Sequence, residues 1–276
     1  MKRTIRIGSK CYDADIPRVM TILNATPDSF YEGSRFSEQA LVDAAGKALD
    51  EGAFVLDIGG FSTRPGGILI SVEEELDRTI PAIESVSSCF PDALISVDTF
   101  RSDVAHRAVE AGAHMVNDVS GGRFDAHMHA VVARLSVPYV LMHLRGDLHT
   151  MHNPQSYNDL PSEVLADLQI QVHHAQKEGI SDIIVDPGFG FSKRDFQNFE
   201  LLRGLEILHL LDCPILVGVS RKRMVWQTLG ITANEALNGT TALHMLALQH
   251  GARWLRVHDT QPAVEAIQIF NAYRSK

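Results

Sequence analysis

A series of short polar clusters in this chain carries side chains able to hold an anion, a metal ion or a ring edge rich in N–H donors. Asn24 closes an apolar run and leads into Thr26-Pro27-Asp28-Ser29-Phe30. Asp57 precedes the glycine-rich stretch Gly59–Gly67, whose centre Ser62-Thr63-Arg64-Pro65 offers hydroxyls and a guanidinium suited to phosphate or carboxylate. Asp98-Thr99, Asn117-Asp118, His143 and Asp186-Pro187-Gly188 each end another apolar run. Ser220-Arg221-Lys222-Arg223 abuts the apolar run Ile215-Leu216-Val217-Gly218, so at least one of its cations should point inward. Arg256 and His258 alternate across Val257 and share one face of a strand, which makes them a plausible anion clamp. Plainer readings stand beside these. Asp57 could simply accept from backbone amides of its Gly-Gly turn. Asp118 and Asp259 read as caps or supporting partners of Asn117 and His258, and the stretch Gly59–Gly67 could be only a connection.

Other chemistries find little footing. The chain has 13 histidines, yet no HExxH and no Cys/His quartet, which argues against zinc. Mg²⁺ held by one protein oxygen and by substrate phosphates fits better, because Mg²⁺ rarely takes a full protein cage. Gly-x-Ser-x-Gly is absent, so there is no nucleophile elbow.

Positioning these groups requires elements that deliver them to one place. Nearly continuous apolar runs, as in parallel strands buried on both faces, occupy Arg18–Asn24, Phe54–Gly59, Leu94–Asp98, Met115–Asp118, Tyr139–His143, Ile183–Asp186, Ile215–Ser220 and Trp254–His258. Helical stretches alternate with them. Ser71 with Glu74, and Thr232 with Glu235, read as capping boxes, and Pro262 suits the first turn of the last helix. Gly52, Gly112, Gly179 and Gly251 stand where helices should end in a left-handed residue. Pro81 interrupts a helical pattern and should kink it. Eight βα repeats favour a single (β/α)8 TIM barrel, one domain over 1–276, above a doubly wound sheet; no GxGxxG follows the first strand. Thr4–Ile7 and Cys11–Ile16 form a candidate hairpin under the barrel. In such a barrel the polar clusters all fall at the C-terminal strand ends, where active sites lie.

Composition narrows the partners. The 276 residues are 45% hydrophobic and 21% charged, a globular balance. A net charge of −9 argues against nucleic acid or an anionic membrane as the main partner. Cys11, Cys89 and Cys213 build no disulfide framework, and neither a signal-peptide core nor a membrane span is evident, so a cytoplasmic protein is expected.

Taken in order, the clusters resemble the dihydropteroate synthase family of folate biosynthesis. The resemblance runs from about residue 18 to the C-terminus. It rests on Ile22-Leu23-Asn24-Ala25-Thr26-Pro27-Asp28-Ser29-Phe30, Asp57-Ile58-Gly59-Gly60-Phe61-Ser62-Thr63-Arg64-Pro65-Gly66 and Ile95-Ser96-Val97-Asp98-Thr99. It continues in Val116-Asn117-Asp118-Val119-Ser120, Asp186-Pro187-Gly188-Phe189-Gly190-Phe191, Gly218-Val219-Ser220-Arg221-Lys222 and Arg256-Val257-His258-Asp259. Each motif alone is weak; together, in this order, they are specific.

The resemblance implies a TIM barrel that joins 6-hydroxymethyl-7,8-dihydropterin pyrophosphate to p-aminobenzoate and releases pyrophosphate. It implies Asn24 as the Mg²⁺ ligand, and Asp98 and Lys222 as the catalytic residues. Thr63, Asp98, Asn117, Asp186, Lys222, Arg256, Val257 and His258 would bind the pterin pyrophosphate. Ser62, Thr63, Arg64, Pro65, Phe191, Ser220 and Lys222 would frame p-aminobenzoate. The residue types suit the reaction. A carboxylate such as Asp186 can accept two N–H groups from a 2-amino-4-oxo pterin edge. Loss of pyrophosphate leaves positive charge on the pterin methylene, which a fixed anion such as Asp98 stabilises. The aryl amine is already a nucleophile.

Phe61 and Arg223 depart from the family pattern and could alter the p-aminobenzoate mouth. The first loop, Thr26–Phe36, and the second, Ser62–Ile70, are expected to be mobile lids. A homodimer is expected from the family and from apolar Leu243, Leu246, Ile267 and Phe270 in the last helices. Two other readings remain. A pterin-dependent methyltransferase shares the barrel but needs no pyrophosphate clamp, and a catalytically silent pterin-binding homologue would be expected to lose Asn24, Asp98, Lys222 or Arg256.

Overall fold

Parallel strands that bury both faces need helices on one side and side-chain layers on the other, and closing the sheet on itself supplies both. The computed structural model of the protein describes residues 4–25, 34–61 and 69–275, with the side chains of 34–37 not described. Eight parallel strands form one sheet: β3 (Arg18–Asn24), β4 (Val55–Gly59), β5 (Ile95–Asp98), β6 (Met115–Asp118), β7 (Tyr139–Met142), β8 (Ile183–Asp186), β9 (Leu216–Val217) and β10 (Trp254–Val257). Neighbours follow chain order from β3 to β8, and β10 joins β3 to β9. The two ends meet through a parallel bridge between Val185 and Ile215, where the Val185 amide donates to Pro214 O at 2.9 Å. The expected TIM barrel is therefore the observed one.

Its helices are α1 (Ser34–Asp50), α2 (Val72–Cys89), α3 (Ser102–Glu110), α4 (Met128–Leu135), α5 (Leu160–Lys177), α6 (Asp195–Arg203), α7 (Arg223–Leu229), α8 (Leu237–Gln249) and α9 (Thr260–Arg274). Ser71 caps α2 by accepting from the Glu74 amide at 3.1 Å. Thr232 and Glu235 do form a capping box, but on a single 3-10 turn, Ala233–Glu235, that precedes α8. Gly52, Gly112, Gly179 and Gly251 all have positive φ at the helix-to-strand turns, as the sequence required.

The hairpin exists as β1 (Thr4–Ile7) and β2 (Lys10–Asp13), slightly shorter than expected in its second strand. It closes the N-terminal end of the barrel. Ile5 and Ile7 pack with Met20, Val55, Met115, Val140, Ile184, Leu216 and Trp254, the lowest interior layer. At roughly 2 kcal/mol for each large apolar side chain, this plug is a substantial part of the core. The seventh barrel strand is the main departure. The apolar run Ile215–Ser220 gives a ladder over only Leu216–Val217, because the chain turns away toward Arg221 at φ 53°.

Candidate active site

Side chains alternate along a strand, so the residue two positions beyond each member of the lowest layer also enters the barrel. Those positions are polar on four strands: Asp57 after Val55, Asn117 after Met115, Asp186 after Ile184 and Arg256 after Trp254. Arg256 joins three elements. Its Nε donates to Asp57 Oδ2 at 2.7 Å and its Nη2 to Asp98 Oδ2 at 2.6 Å. Asn117 Nδ2 donates to the same Asp57 oxygen at 2.9 Å. Asp57 is fully buried, and its Oδ1 has no hydrogen-bond partner among the described residues.

The charges are strongly perturbed. Burial, with the carboxylates of Asp57, Glu75 and Asp118 nearby, pushes Asp98 up to about 7 against the pull of Arg256. Burial opposes the charge on Arg256, yet Asp57 and Asp98 hold the guanidinium protonated and above its ordinary range. The Arg256 contact fixes the Asp98 carboxyl group where its ionised form can meet a developing cation, and Arg256 keeps a second edge of donors for an anion.

Asp186 ends β8 and is buried, which raises its pKa against the opposing effects of Lys222 and the Gly188 amide. Gly188 N donates to Asp186 Oδ1 at 2.7 Å, so the carboxylate has a fixed orientation. Lys222 is pulled down to about 8 by burial, with Asp186 opposing and Arg256 reinforcing. Its ammonium donates to Phe189 O and lies 4.9 Å from the Phe191 ring centroid. The turn carrying these groups needs its glycines. Gly188 has φ 71° and a Cβ there would meet His143 O at 2.1 Å, while Gly190 has φ 80° and faces Lys222 Cδ.

Ser220 is buried and serves His258: its Oγ takes the His258 amide at 3.2 Å and lies 3.1 Å from Nδ1. Of the three consecutive cations, Lys222 is the one that points inward. Arg221 turns outward to form a two-bond pair with Asp259, both at 2.8 Å. Arg223 is exposed and reaches Asp195 at 3.3 Å. Val257 faces the helical layer, packed with Val19 and Leu255, so only its backbone faces the strand-end region. Phe61 is buried edge-on against Phe100 at 5.5 Å, not open at a pocket mouth.

Of the plainer readings, that of Asp118 as a cap holds, while those of Asp57 and Asp259 give way to other partners. Asp118 accepts from Ser120 N, Ser120 Oγ, Gly122 N and Tyr139 Oη, a turn carboxylate outside the barrel. Asp259 supports Arg221. Asp57, by contrast, turns into the barrel and takes Arg256 and Asn117. Ser62, Thr63, Arg64 and Pro65 lie outside the described residues, as do most of the loops expected to be lids.

Asn24 ends β3 in register with Gly59, half-buried on the interior side, and its amide bonds no other described residue. No group of three or more His, Cys, Asp or Glu able to hold a metal ion occurs among the described residues. This donor set suits a hard cation that takes one protein oxygen and the remainder from a ligand and water.

One buried group went unread in the sequence. Lys193 follows the Gly-Phe-Gly-Phe turn and donates to His143 Nδ1, Gly188 O and Phe191 O at 3.0, 3.0 and 3.1 Å. His143, expected only as a strand-end polar group, is enclosed between Lys193 and Asp167 and does not face the interior carboxylates.

The arrangement can bind an N–H-rich ring on Asp186, neutralise an anion with Arg256, and stabilise a cation with Asp98. Comparison with known proteins supplies the family. A family model described as pterin binding enzyme matches residues 20–258. The chain is 38% identical over 265 residues to the dihydropteroate synthase of Escherichia coli K12, covering 94% of this chain and 93% of that protein. It is 44% identical over 249 residues to the folic acid synthesis protein fol1 of Pneumocystis carinii, a match to 87% of this chain and 34% of that longer protein. The solved dihydropteroate synthase of Xanthomonas albilineans with 4-aminobenzoic acid superposes with a TM-score of 0.93 at 39% identity, over 100% of both chains. With these matches spanning the barrel and every described cluster at its mouth, the chain belongs to the dihydropteroate synthase family of pterin-binding enzymes.

Proposed function

We infer that the chain joins 6-hydroxymethyl-7,8-dihydropterin pyrophosphate to p-aminobenzoate, forming 7,8-dihydropteroate and releasing pyrophosphate. The observation that carries this reading is the interior Asp57–Asn117–Arg256–Asp98 cluster set beside Asp186 and Lys222. It offers fixed acceptors for a pterin edge next to a cation for the leaving group. Product formation with both substrates, and with each omitted, tests it.

The proposed roles follow from position. Asp186 accepts the pterin N–H pair, and Asn117, fixed by Asp57, supplies an amide oxygen beside it. As the C–O bond to pyrophosphate breaks, positive charge develops on the pterin methylene, and the Asp98 carboxylate stabilises it. Arg256 and His258 neutralise the departing pyrophosphate. The aryl amine attacks the methylene and loses one proton. Lys222 and Phe191 wall the p-aminobenzoate side, with Ser220 holding His258 in place. Asn24 would hold Mg²⁺, which supplies charge neutralisation for the pyrophosphate when bound.

The binding order should be pterin pyrophosphate first. Ser62, Thr63, Arg64 and Pro65 are consecutive in the sequence, and Thr63 would address pyrophosphate while the others address p-aminobenzoate. That pocket is then incomplete until the anion is in place. Calorimetry should find little p-aminobenzoate affinity for the enzyme alone and clear affinity once Mg²⁺, pyrophosphate and a pterin are present. Equal affinity in both states would rule out the ordered scheme.

We propose a homodimer. Of the four residues the sequence suggested for it, Leu243, Ile267 and Phe270 are buried in the core and only Leu246 is exposed; Leu229, Ile269 and Tyr273, each about half exposed or more on α7 and α9, are the apolar side chains that a second copy would cover instead. Light scattering at micromolar concentration should give twice the 30.4 kDa chain mass, and a monomer mass would reject the dimer. No helix of the described residues is long and apolar enough to cross a membrane. Cys11 and Cys89 are exposed and Cys213 is buried, an odd and scattered set that fits the reducing cytoplasm we propose for the enzyme.

A further inference from the structure

We propose that Lys193 is a positioning residue for the aminobenzoate half of the reaction, clamping the Gly188–Phe191 turn from behind so that Phe191 and Lys222 meet the arylamine in register. The proposal rests on the function inferred above and concerns a residue with no part in it so far.

The turn is gripped from two sides. On the pocket side Lys222 donates to Phe189 O. From the opposite side Lys193 donates to Gly188 O and Phe191 O, at 3.0 and 3.1 Å. Successive carbonyls thus point to two different ammonium groups, and neither lysine can shift without moving the backbone between them. Phe191 is also stacked on His152 with ring centroids 5.2 Å apart, so its ring has one orientation relative to Lys222.

Lys193 is only 5% exposed, and no carboxylate among the described residues pairs with it. Burial pulls Lys193 down to about 7, with the charge of Asp186 opposing, so its ammonium form is costly, and a methionine of similar length would fill the space without that cost. What the methionine would lose is the set of three acceptors, which matches the three protons of an ammonium. The third acceptor, His143 Nδ1, is itself held. His143 is fully buried and its Nε2 lies 3.1 Å from Asp167 Oδ2. Arg145 joins Asp167 at 2.8 Å and Glu163 at 2.8 Å. Burial, with Lys193 adjacent, keeps the His143 ring neutral, its pKa down to about 3. A neutral ring that donates from Nε2 must accept at Nδ1, which is what Lys193 requires. The series Asp167–His143–Lys193 therefore ties the turn to α5, a helix outside the pocket.

The effect should be one-sided. Asp186 lies ahead of the clamped turn in the β8 ladder, where the His143 amide donates to its carbonyl at 2.8 Å, so the pterin contacts survive loss of the clamp. Phe191 and the partner carbonyl of Lys222 belong to the turn and do not.

The test is steady-state kinetics on Lys193→Met and Lys193→Gln beside the wild type, with thermal unfolding as a check on folding. The expected result is a KM for p-aminobenzoate raised at least tenfold in Lys193→Met, with the KM for dihydropterin pyrophosphate changed less than about twofold. Lys193→Gln, which keeps an N–H donor, should fall between Lys193→Met and wild type. If the two KM values move together, or neither moves, the proposal is wrong. If Lys193→Met does not fold, the same ratio in Lys193→Gln decides. If neither folds, Lys193 is a structural residue and the proposal is equally overturned. A wild type that makes no dihydropteroate would instead overturn the inferred function, so the two failures are distinct.

Discussion

Arg256→Met should lower kcat/KM for dihydropterin pyrophosphate by on the order of 10³-fold, the loss expected when a preorganised charge at a leaving group is removed. The same change should destabilise the fold, because Asp57 and Asp98 both bond this guanidinium. Deleting one partner of a buried charge cluster costs about 3 kcal/mol or more. The pH dependence has a definite sign. Without the guanidinium, at least one of the two carboxylates prefers to be protonated in the folded state, so its folded pKa exceeds its unfolded one. The folded variant then binds more protons than the unfolded chain, and its stability rises as pH falls. Thermal unfolding across pH should show the variant recovering toward wild type in acid. Arg256→Lys keeps the charge but cannot reach both carboxylates, so it should recover stability better than activity. An Arg256→Met enzyme within tenfold of wild type would remove this residue from the leaving-group site.

The second large effect is on pterin recognition. Asp186→Asn should weaken dihydropterin binding by about 2 kcal/mol or more, roughly 30-fold. The neighbouring backbone explains why so small a change matters. The Gly188 amide must still find an acceptor, so the asparagine would turn its Oδ1 to Gly188 and its NH₂ toward the pterin. Donor then faces donor. The fold should be retained, because that brace survives. Lys222 should also lose part of its charge, since Asp186 is what holds its proton against burial. Calorimetry with a dihydropterin reads the effect, and unchanged affinity would exclude Asp186 from the pocket.

The barrel was legible in the sequence because strands buried on both faces read as unbroken apolar runs, and because glycines mark the turns before them. Gly52, Gly112, Gly179 and Gly251 stand where a left-handed residue ends each helix. The seventh strand read too long for a local reason. Gly218-Val219-Ser220 is as apolar and buried as a strand, but its chain bends so that Lys222 can enter and Arg221 can leave.

That Asn117, Asp186 and Arg256 enter the barrel was equally legible, since each closes an apolar run on the interior face, although Asp118 and His143 close such runs too and face elsewhere. Partnerships were not. Asp57 precedes two glycines and reads as a turn residue, yet it shares the face of Val55 and therefore lies inside the barrel. Alternation alone contained that information. Which cation of Arg221-Lys222-Arg223 points inward depends on Asp259, 38 positions away from Arg221. Lys193 depends on His143 across 50 positions. Such pairings are set by the closure of the sheet, and local pattern carries no trace of them.

Pyrophosphate release is the plainest measure of the condensation. With dihydropterin pyrophosphate, p-aminobenzoate and Mg²⁺ present, the enzyme should release one pyrophosphate for each 7,8-dihydropteroate formed, and omission of either organic substrate should abolish dihydropteroate. A chain that binds the pterin yet releases no pyrophosphate with all components present would not be a synthase.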